Sequence, residues 1–391
     1  MRNVPVLSID KGRCCGCGVC AELCANNAIT MKRDEEGFLY PVINEEKCIA
    51  CNLCLKVCSF KKDIKEISCN EKILGIYAAR IRDNKRVKKS ASGGMFTALS
   101  DYYLENGGAV VASVYNYETH QMEFALIQDK NIRDKALGSI YIQSNPDKIY
   151  KKLVEWLSDN PTGELMFIGT GCQCASLKEY AGIKKVENRI LLVDIICQGV
   201  ASPQVWKSYI ESVEQKANKK ISFITFKDKR FGWRSPLALY KIGEKMVQMP
   251  EVVKLINSKH VFRPSCYHCP YTKLDRVSDL TIGDYWGIEK TNPDFYSKAG
   301  NSLVIIQSPK GLRIFNNVSN RIEYIESDRN SCMQPSLQNP VVAPKDRDEF
   351  WNLYHKNGIE SVLRKYGHMS LNSKIKSKLK FILGSIGIMG K

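Results

Sequence analysis

The 391-residue sequence contains no stretch approaching the roughly 18 apolar residues of a membrane span, and Met1–Gly12 lacks the apolar core of a secretory signal. Neither a membrane-embedded nor a secreted protein is expected, and a cytoplasmic, reducing setting is implied. Acidic residues are missing from Arg364 to Lys391, where seven basic ones gather. Elsewhere no dense Lys/Arg block and no basic run interleaved with aromatics occurs. The net charge of +17 therefore brings no nucleic-acid patch with it, and a DNA-binding redox sensor is disfavoured. Cysteine, with 16 residues or about 4%, is too dilute for a disulfide scaffold, where it exceeds roughly 8–10%. In a reducing compartment these cysteines read as thiolates available to metals.

Nine of the 16 fall within the first 60 residues, a segment whose charges balance at seven basic and seven acidic. Cys14, Cys17, Cys20 and Cys24 recur at the same intervals as Cys48, Cys51, Cys54 and Cys58, 34 residues on. This C-x2-C-x2-C-x3-C spacing is that of bacterial ferredoxins: three close thiolates cap three irons of one cubane, and the fourth crosses to the other cluster. One [4Fe–4S] centre is expected on Cys14, Cys17, Cys20 and Cys58, and a second on Cys48, Cys51, Cys54 and Cys24. Ala25 and Ser59 stand where proline usually follows the fourth cysteine. A pair of zinc sites is the alternative, against which eight thiolates in duplicate register weigh. AITMKRDEEGFLYPVI, between the halves, reads as two short strands around Glu36-Gly37. Cys15, beside a ligand, reads as a bystander.

Residues 61–70 are polar and read as a linker, after which apolar runs alternate with helix-like stretches. Residues 73–81, 108–115, ELMFIGT, RILLVDII and SDLTIGD read as strands, and MFTALSDYYLEN as a helix. Ser202-Pro203 supplies an N-cap and an N1 proline for a helix after RILLVDII. The pattern predicts an α/β body with its chemistry in the loops that follow the strands. A second set of thiols lies there: Cys172 and Cys174, Cys197, and the Cys266/Cys269 pair. Cys172, Cys197, Cys266 and Cys269 would suffice for a third [4Fe–4S] cluster, and spacing leaves a zinc half-site with core cysteines equally open. His268 reads as a packed or solvent-facing side chain, and Cys69 and Cys332 carry no pattern.

Ser90–Leu99 places small residues immediately before a helix, where free N–H groups favour an anion and glycines let the backbone approach it. A helix cap by Ser92 is the competing reading. Asp279 and Asp284 flank a strand end as caps or catalysts. Leu371, Ile375, Leu379, Ile382 and Ile386, with lysines between them, form a basic amphipathic helix. It suits either peripheral contact with an anionic membrane surface or packing on the body.

KSASGGMFTALSDYYLENGGAVVASVY, GSIYIQS, FIGTGCQCASLKEY, LLVDIICQGVASPQVWKSYI, KDKRFGW, CYHCPYT and SDLTIGDYWGI follow one another in an order that resembles the beta subunits of coenzyme F420 hydrogenases and dehydrogenases. The resemblance spans about residues 74–310, and many members carry a preceding ferredoxin module. The superfamily also includes plant 7-hydroxymethyl chlorophyll a reductase and bacterial proteins associated with polysaccharide biosynthesis loci. Gly171 stands where the family has proline in GTPCQ, and Gln198 where histidine is usual in ICHG.

The resemblance implies an α+β ferredoxin-like module over residues 1–62, a linker over 63–72, an α/β flavin-binding body over 73–345 and a basic helical tail over 346–391. FAD would be held by Ser92, Gly93, Gly94, Thr97, Tyr141, Gln143, Ser144 and Thr170. The implied activity is that of an oxidoreductase moving electrons between the clusters, through FAD, and a hydride carrier such as coenzyme F420 or another small-molecule substrate. Ferredoxin or another redox protein is the expected partner, and no catalytic acid or base stands out. The alternative is a non-catalytic electron-transfer subunit of a larger redox complex.

Overall fold

The computed structural model describes residues 4–7, 10–60, 73–139 and 141–367. The expected linker over 63–72, Cys69 and the amphipathic segment from Leu371 lie outside the described residues.

In the N-terminal module, β1 (Ile29–Arg33) and β2 (Leu39–Ile43) pair antiparallel around the turn that the sequence places at Glu36-Gly37. The Asp34 carboxylate accepts the backbone N–H groups of Glu36 and Phe38 at 3.1 and 2.8 Å, which closes that turn. Gly37 has φ 84°, and a Cβ there would lie 2.3 Å from Gln204 of the body. Both the backbone and the contact therefore demand glycine. The 34-residue repeat extends to backbone conformation. Gly16 and Ala50 have φ 68° and 55°, Gly18 and Asn52 have 79° and 58°, and a four-residue helix follows each pair, Val19–Glu22 and Leu53–Lys56.

The body adds β3 (Gly75–Ile81), β4 (Ala109–Asn116), β5 (Gln121–Ile127), β6 (Ser144–Asn145), β7 (Leu165–Thr170) and β8 (Ile190–Ile195). Further on come β9 (Ile221–Asp228), β10 (Leu237–Ile242), β11 (Lys245–Gln248), β12 (Leu280–Asp284), β13 (Ser302–Ile306) and β14 (Ile322–Glu326). Nine of these form one sheet in the order β14-β3-β13-β12-β8-β7-β4-β5-β6, and β9–β11 form a separate antiparallel sheet. The four central strands β12, β8, β7 and β4 are parallel, β13, β3 and β14 run antiparallel to their neighbours, and β5 pairs antiparallel with β4 but parallel with β6. The body is thus a mixed sheet, and the α/β expectation holds only for its centre. β7 and β8 are buried nearly throughout, as apolar runs such as ILLV demand of strands covered on both faces. The helix Gly171–Lys184 crosses between them and is opened by a Thr170/Gln173 capping box. Ser202 caps the helix Pro203–Ala217 through Val205 N–H.

Module and body share a core. Val19, Leu23 and Val57 pack with Val111, Leu153, Trp156, Phe167 and Leu177. The first part of the expected tail is also body: in the helix Arg347–Tyr366, broken at Gly358, residues Phe350, Trp351, Tyr354 and Val362 join Trp206, Met249 and Leu255. Arg347 pairs with Glu36 of the module hairpin through both guanidinium nitrogens, Nη1 at 2.7 Å from Oε1. Among the described residues no helix is long and apolar enough to cross a membrane.

Candidate iron–sulfur and cofactor sites

Four spaces lie in sequence through the molecule. A distal cavity of about 40 Å³ is lined by Cys24, Cys48, Cys51 and Cys54, with Ile29, Ile43 and Ile49 around them. A second, of about 30 Å³, is lined by Cys14, Cys17, Cys20 and Cys58, together with Cys15. These are the two groups of four that the crossed spacing expects. They form because each short helix carries its third cysteine inward while the hairpin brings the two halves of the repeat together.

A third cavity, of about 40 Å³, lies at the C-terminal ends of the central strands. Cys172 stands just beyond β7 and Cys197 just beyond β8, and parallel pairing from Leu165–Ile190 to Thr170–Ile195 sets these loops side by side. Cys266 and Cys269 close the space from the turn around Pro264–His268. Cys174, two residues on from Cys172, is fully buried and donates to Val193 O at 3.4 Å instead. Cys332 is buried in another cluster, and His268 is exposed.

Among the described residues no three His, Cys, Asp or Glu side chains converge as ligands of a single metal ion do. Each cavity is instead lined by at least four cysteines, the donor set of a [4Fe–4S] cubane. Burial pushes Cys197 and Cys269 up to about 12. Such thiols surrender their protons to a bound cation rather than to water. Asp194, at the end of β8, pairs with Arg276 at 3.1 Å beneath this cavity.

Cys15 is no isolated bystander, because its side chain lines both the second and the third cavities. Hydrogen bonds with Cys17 and then Cys172, followed by burial, hold its proton on, while the bond from Cys15 pulls Cys17 down to about 6.

The fourth space is a cleft of about 510 Å³. It shares Thr170, Gln173, Cys197, Gln198 and Val200 with the third cavity. Ser92, Thr97, Tyr141, Ser144 and Thr170, all expected around a cofactor, line this cleft. The helix Met95–Glu105 opens onto it with Gly94 at the N-cap and no side chain capping it, which leaves its first N–H groups for a ligand. Ser92 therefore does not cap this helix. Its hydroxyl donates to Asp284, which also takes Lys227 Nζ at 2.8 Å. Lys227 and Asp284 both line the cleft, and Trp286, 40% exposed, lines it while stacked on Trp233 with 4.9 Å between centroids.

Three expected residues do other work. A Cβ on Gly93 would lie 2.4 Å from Ala79 O and 2.7 Å from Ser302 N, and one on Gly94 would lie 2.4 Å from Ile81. These glycines leave room for the neighbouring sheet strands. Gln143 turns away from the cleft, because its amide donates to Cys15 O at 2.7 Å and accepts from Arg263 at 3.0 Å. Simple alternation would put Tyr141 and Gln143 on one side of the chain; instead Tyr141 lines the cleft and Gln143 the third cavity. Asp279 is structural: it accepts Leu192 N–H at 2.8 Å and Ser308 Oγ at 2.5 Å. Lys227 sits in the FKDKRFGW motif, but nothing in its spacing distinguishes it from Lys229. Arg263 gave no sequence signal.

Residues 13–62 match the 4Fe-4S dicluster domain. Residues 162–330 match the family described as the C terminus of the coenzyme F420 hydrogenase/dehydrogenase beta subunit. Over residues 162–330 the chain is thus similar to the beta subunits of coenzyme F420 hydrogenases and dehydrogenases. This beta-subunit family is one of oxidoreductase subunits, and the dicluster domain assigns iron–sulfur electron transfer to the chain. No curated protein matches the sequence. Among solved structures, the F420-reducing [NiFe] hydrogenase complex from Methanosarcina barkeri contains a similar chain, at 20% identity and TM-score 0.46. The match covers 75% of this chain and 91% of that one.

Proposed function

We propose that the protein is an iron–sulfur flavoprotein oxidoreductase in which three [4Fe–4S] clusters connect a redox partner to FAD and a diffusible substrate. The observation that carries this reading is the adjacency of the four spaces. Cys15 stands in the walls of two successive cysteine cavities, and Cys197 in the walls of the third cavity and the cleft. Cys14, Cys17, Cys20 and Cys58 would hold one cluster, Cys24, Cys48, Cys51 and Cys54 the distal one, and Cys172, Cys197, Cys266 and Cys269 the third. Bound clusters of this type supply one-electron transfer at low potential.

The cleft fits a flavin dinucleotide on two counts. Its volume of about 510 Å³ lies within the roughly 300–1,000 Å³ of small-molecule sites, and an uncapped helix N-terminus in its wall suits a pyrophosphate. FAD, when bound, supplies the exchange between hydride and single electrons. Ser92, Thr97, Ser144 and Thr170 would bind and orient it. Lys227, fixed by Asp284 and Tyr141, would anchor an anionic group of the substrate, and the Trp233–Trp286 stack would cover its ring. The substrate is accordingly a hydride carrier of the deazaflavin or nicotinamide kind, or a small molecule reduced in its place.

Cys51 is exposed at the distal cavity, beside the exposed side chains of Val42 and Ile49. This surface is the docking face for ferredoxin or another redox protein. The assignment is tested by anaerobic purification with iron, sulfide and flavin analysis. About twelve irons and one FAD per chain are expected; eight irons remove the third cluster, and a flavin-free protein that binds no added FAD removes the oxidoreductase mechanism.

A further inference from the structure

Arg263 stands between the second and third cavities, with its side chain buried. Nε donates to Cys14 O at 2.7 Å, Nη1 to Gln143 Oε1 at 3.0 Å and Nη2 to Leu39 O at 2.9 Å; Nη2 also lies 3.7 Å from the Cys14 sulfur. The guanidinium lies 4.3 Å from the ring centroid of Tyr40 and 5.3 Å from that of Phe38. No carboxylate pairs with it among the described residues. A buried cation held only by neutral acceptors is costly, so its counter-charge must come from the cavities it borders. It lines the Cys172 cavity and contacts a ligand of the other.

The internal repeat marks this position a second time. Residues 16 and 50 are equivalent and share a left-handed backbone, yet one is glycine and the other alanine. A Cβ on Gly16 would lie 2.6 Å from Arg263 Nη1, whereas no arginine lines the distal cavity beside Ala50. The repeat is broken where the guanidinium enters.

We propose that Arg263 is a positioning residue that raises the reduction potentials of the two clusters flanking it relative to the distal cluster. This rests on the cluster assignments above. Each one-electron reduction takes a cubane core from 2+ to 1+ without a proton, adding one negative charge beside a fixed positive one. An electron arriving at the distal cluster is thereby drawn toward the interior, and the guanidinium at once pins module to body through Cys14, Leu39 and Gln143.

The test is a dithionite titration of the full-length, cluster-loaded protein followed by EPR. Arg263→Met is expected to lower the reduced-to-oxidised ratio of both flanking clusters about tenfold at fixed potential, which is 59 mV for a one-electron couple. The distal cluster should stay in place, and Arg263→Lys should retain most of the wild-type values. Unchanged potentials in Arg263→Met, or an equal shift of all three clusters, would overturn the proposal. If Arg263→Met loads no iron, Arg263→Gln removes the charge while keeping a donor and is read the same way. Wild-type protein carrying 15N-guanidino arginine must also show nitrogen hyperfine coupling to the reduced Cys14 cluster, and its absence overturns the contact. Eight irons in the wild type would fault the third-cluster assignment alone, since the effect at the Cys14 cluster remains readable.

Discussion

The sulfur of Cys15 is hydrogen-bonded to that of Cys172, across the boundary between the ferredoxin-type module and the body. One residue thereby contributes to the walls of two cysteine cavities without belonging to either group of four. Cys15→Ala is expected to keep about twelve irons per chain, whereas Cys172→Ala should lose about four. Total iron with EPR of the reduced proteins decides this; loss of four irons from Cys15→Ala would show it to be a ligand.

Iron removal should act unevenly. Residues 10–60 contain only a five-residue strand pair and helical turns of three or four residues, too little secondary structure to hold a fold whose interior is two cavities. Their stability must come largely from metal–thiolate bonds. Chelation under oxidising conditions should expose this segment to limited proteolysis while the nine-stranded sheet resists. Equal resistance before and after chelation would contradict the assignment.

Gly93→Ala should destabilise the body by about 1–3 kcal/mol, because its Cβ would press on Ala79 O and Ser302 N. Gly182→Ala, within the helix Gly171–Lys184 and with nothing within 4 Å of the added Cβ, should gain about 0.5–1 kcal/mol. Urea midpoints of the two holoproteins provide the comparison. If Gly93→Ala weakened flavin binding without changing the midpoint, the glycine would serve the ligand after all.

Lys227 loses some proton affinity to burial, but Tyr141 and Asp284 more than restore it, and its pKa ends above the ordinary 10.5. Its contribution to stability is therefore complete below pH 10.5 and disappears only as the pH rises through the higher folded value. Between pH 6 and 9 it remains an ammonium, an anchor rather than a proton donor. Lys227→Met should raise the substrate KM about tenfold, by the same factor across that range and with little change in kcat. A kcat loss that grows with pH would instead make it an acid.

Local order made much of this legible in the sequence. The duplicated cysteine spacing implied two crossed groups of four, since intervals of three and four residues restrict which thiols can share a cubane. Glu36-Gly37 and Ser202-Pro203 fixed a turn and a helix start through neighbouring atoms alone. The four cysteines of the third cavity could be grouped as candidates, but spacing did not separate a cluster from a zinc half-site with core cysteines.

Tertiary structure decided the remainder, for reasons of distance along the chain. Cys172 and Cys197 meet because β7 and β8 pair in parallel register, and Cys266 with Cys269 arrives from a loop about 70 residues later. Gly93 looked like a phosphate-loop residue, and only the approach of Ala79 and Ser302 shows what its missing side chain accommodates. Gln143 and Tyr141 sit two residues apart, yet Arg263 draws one toward the clusters and Lys227 the other toward the cleft. Thiolate spacing is a short-range property written in the sequence itself, whereas the placement of a buried charge between two cavities depends on strand order and docking that no local window contains.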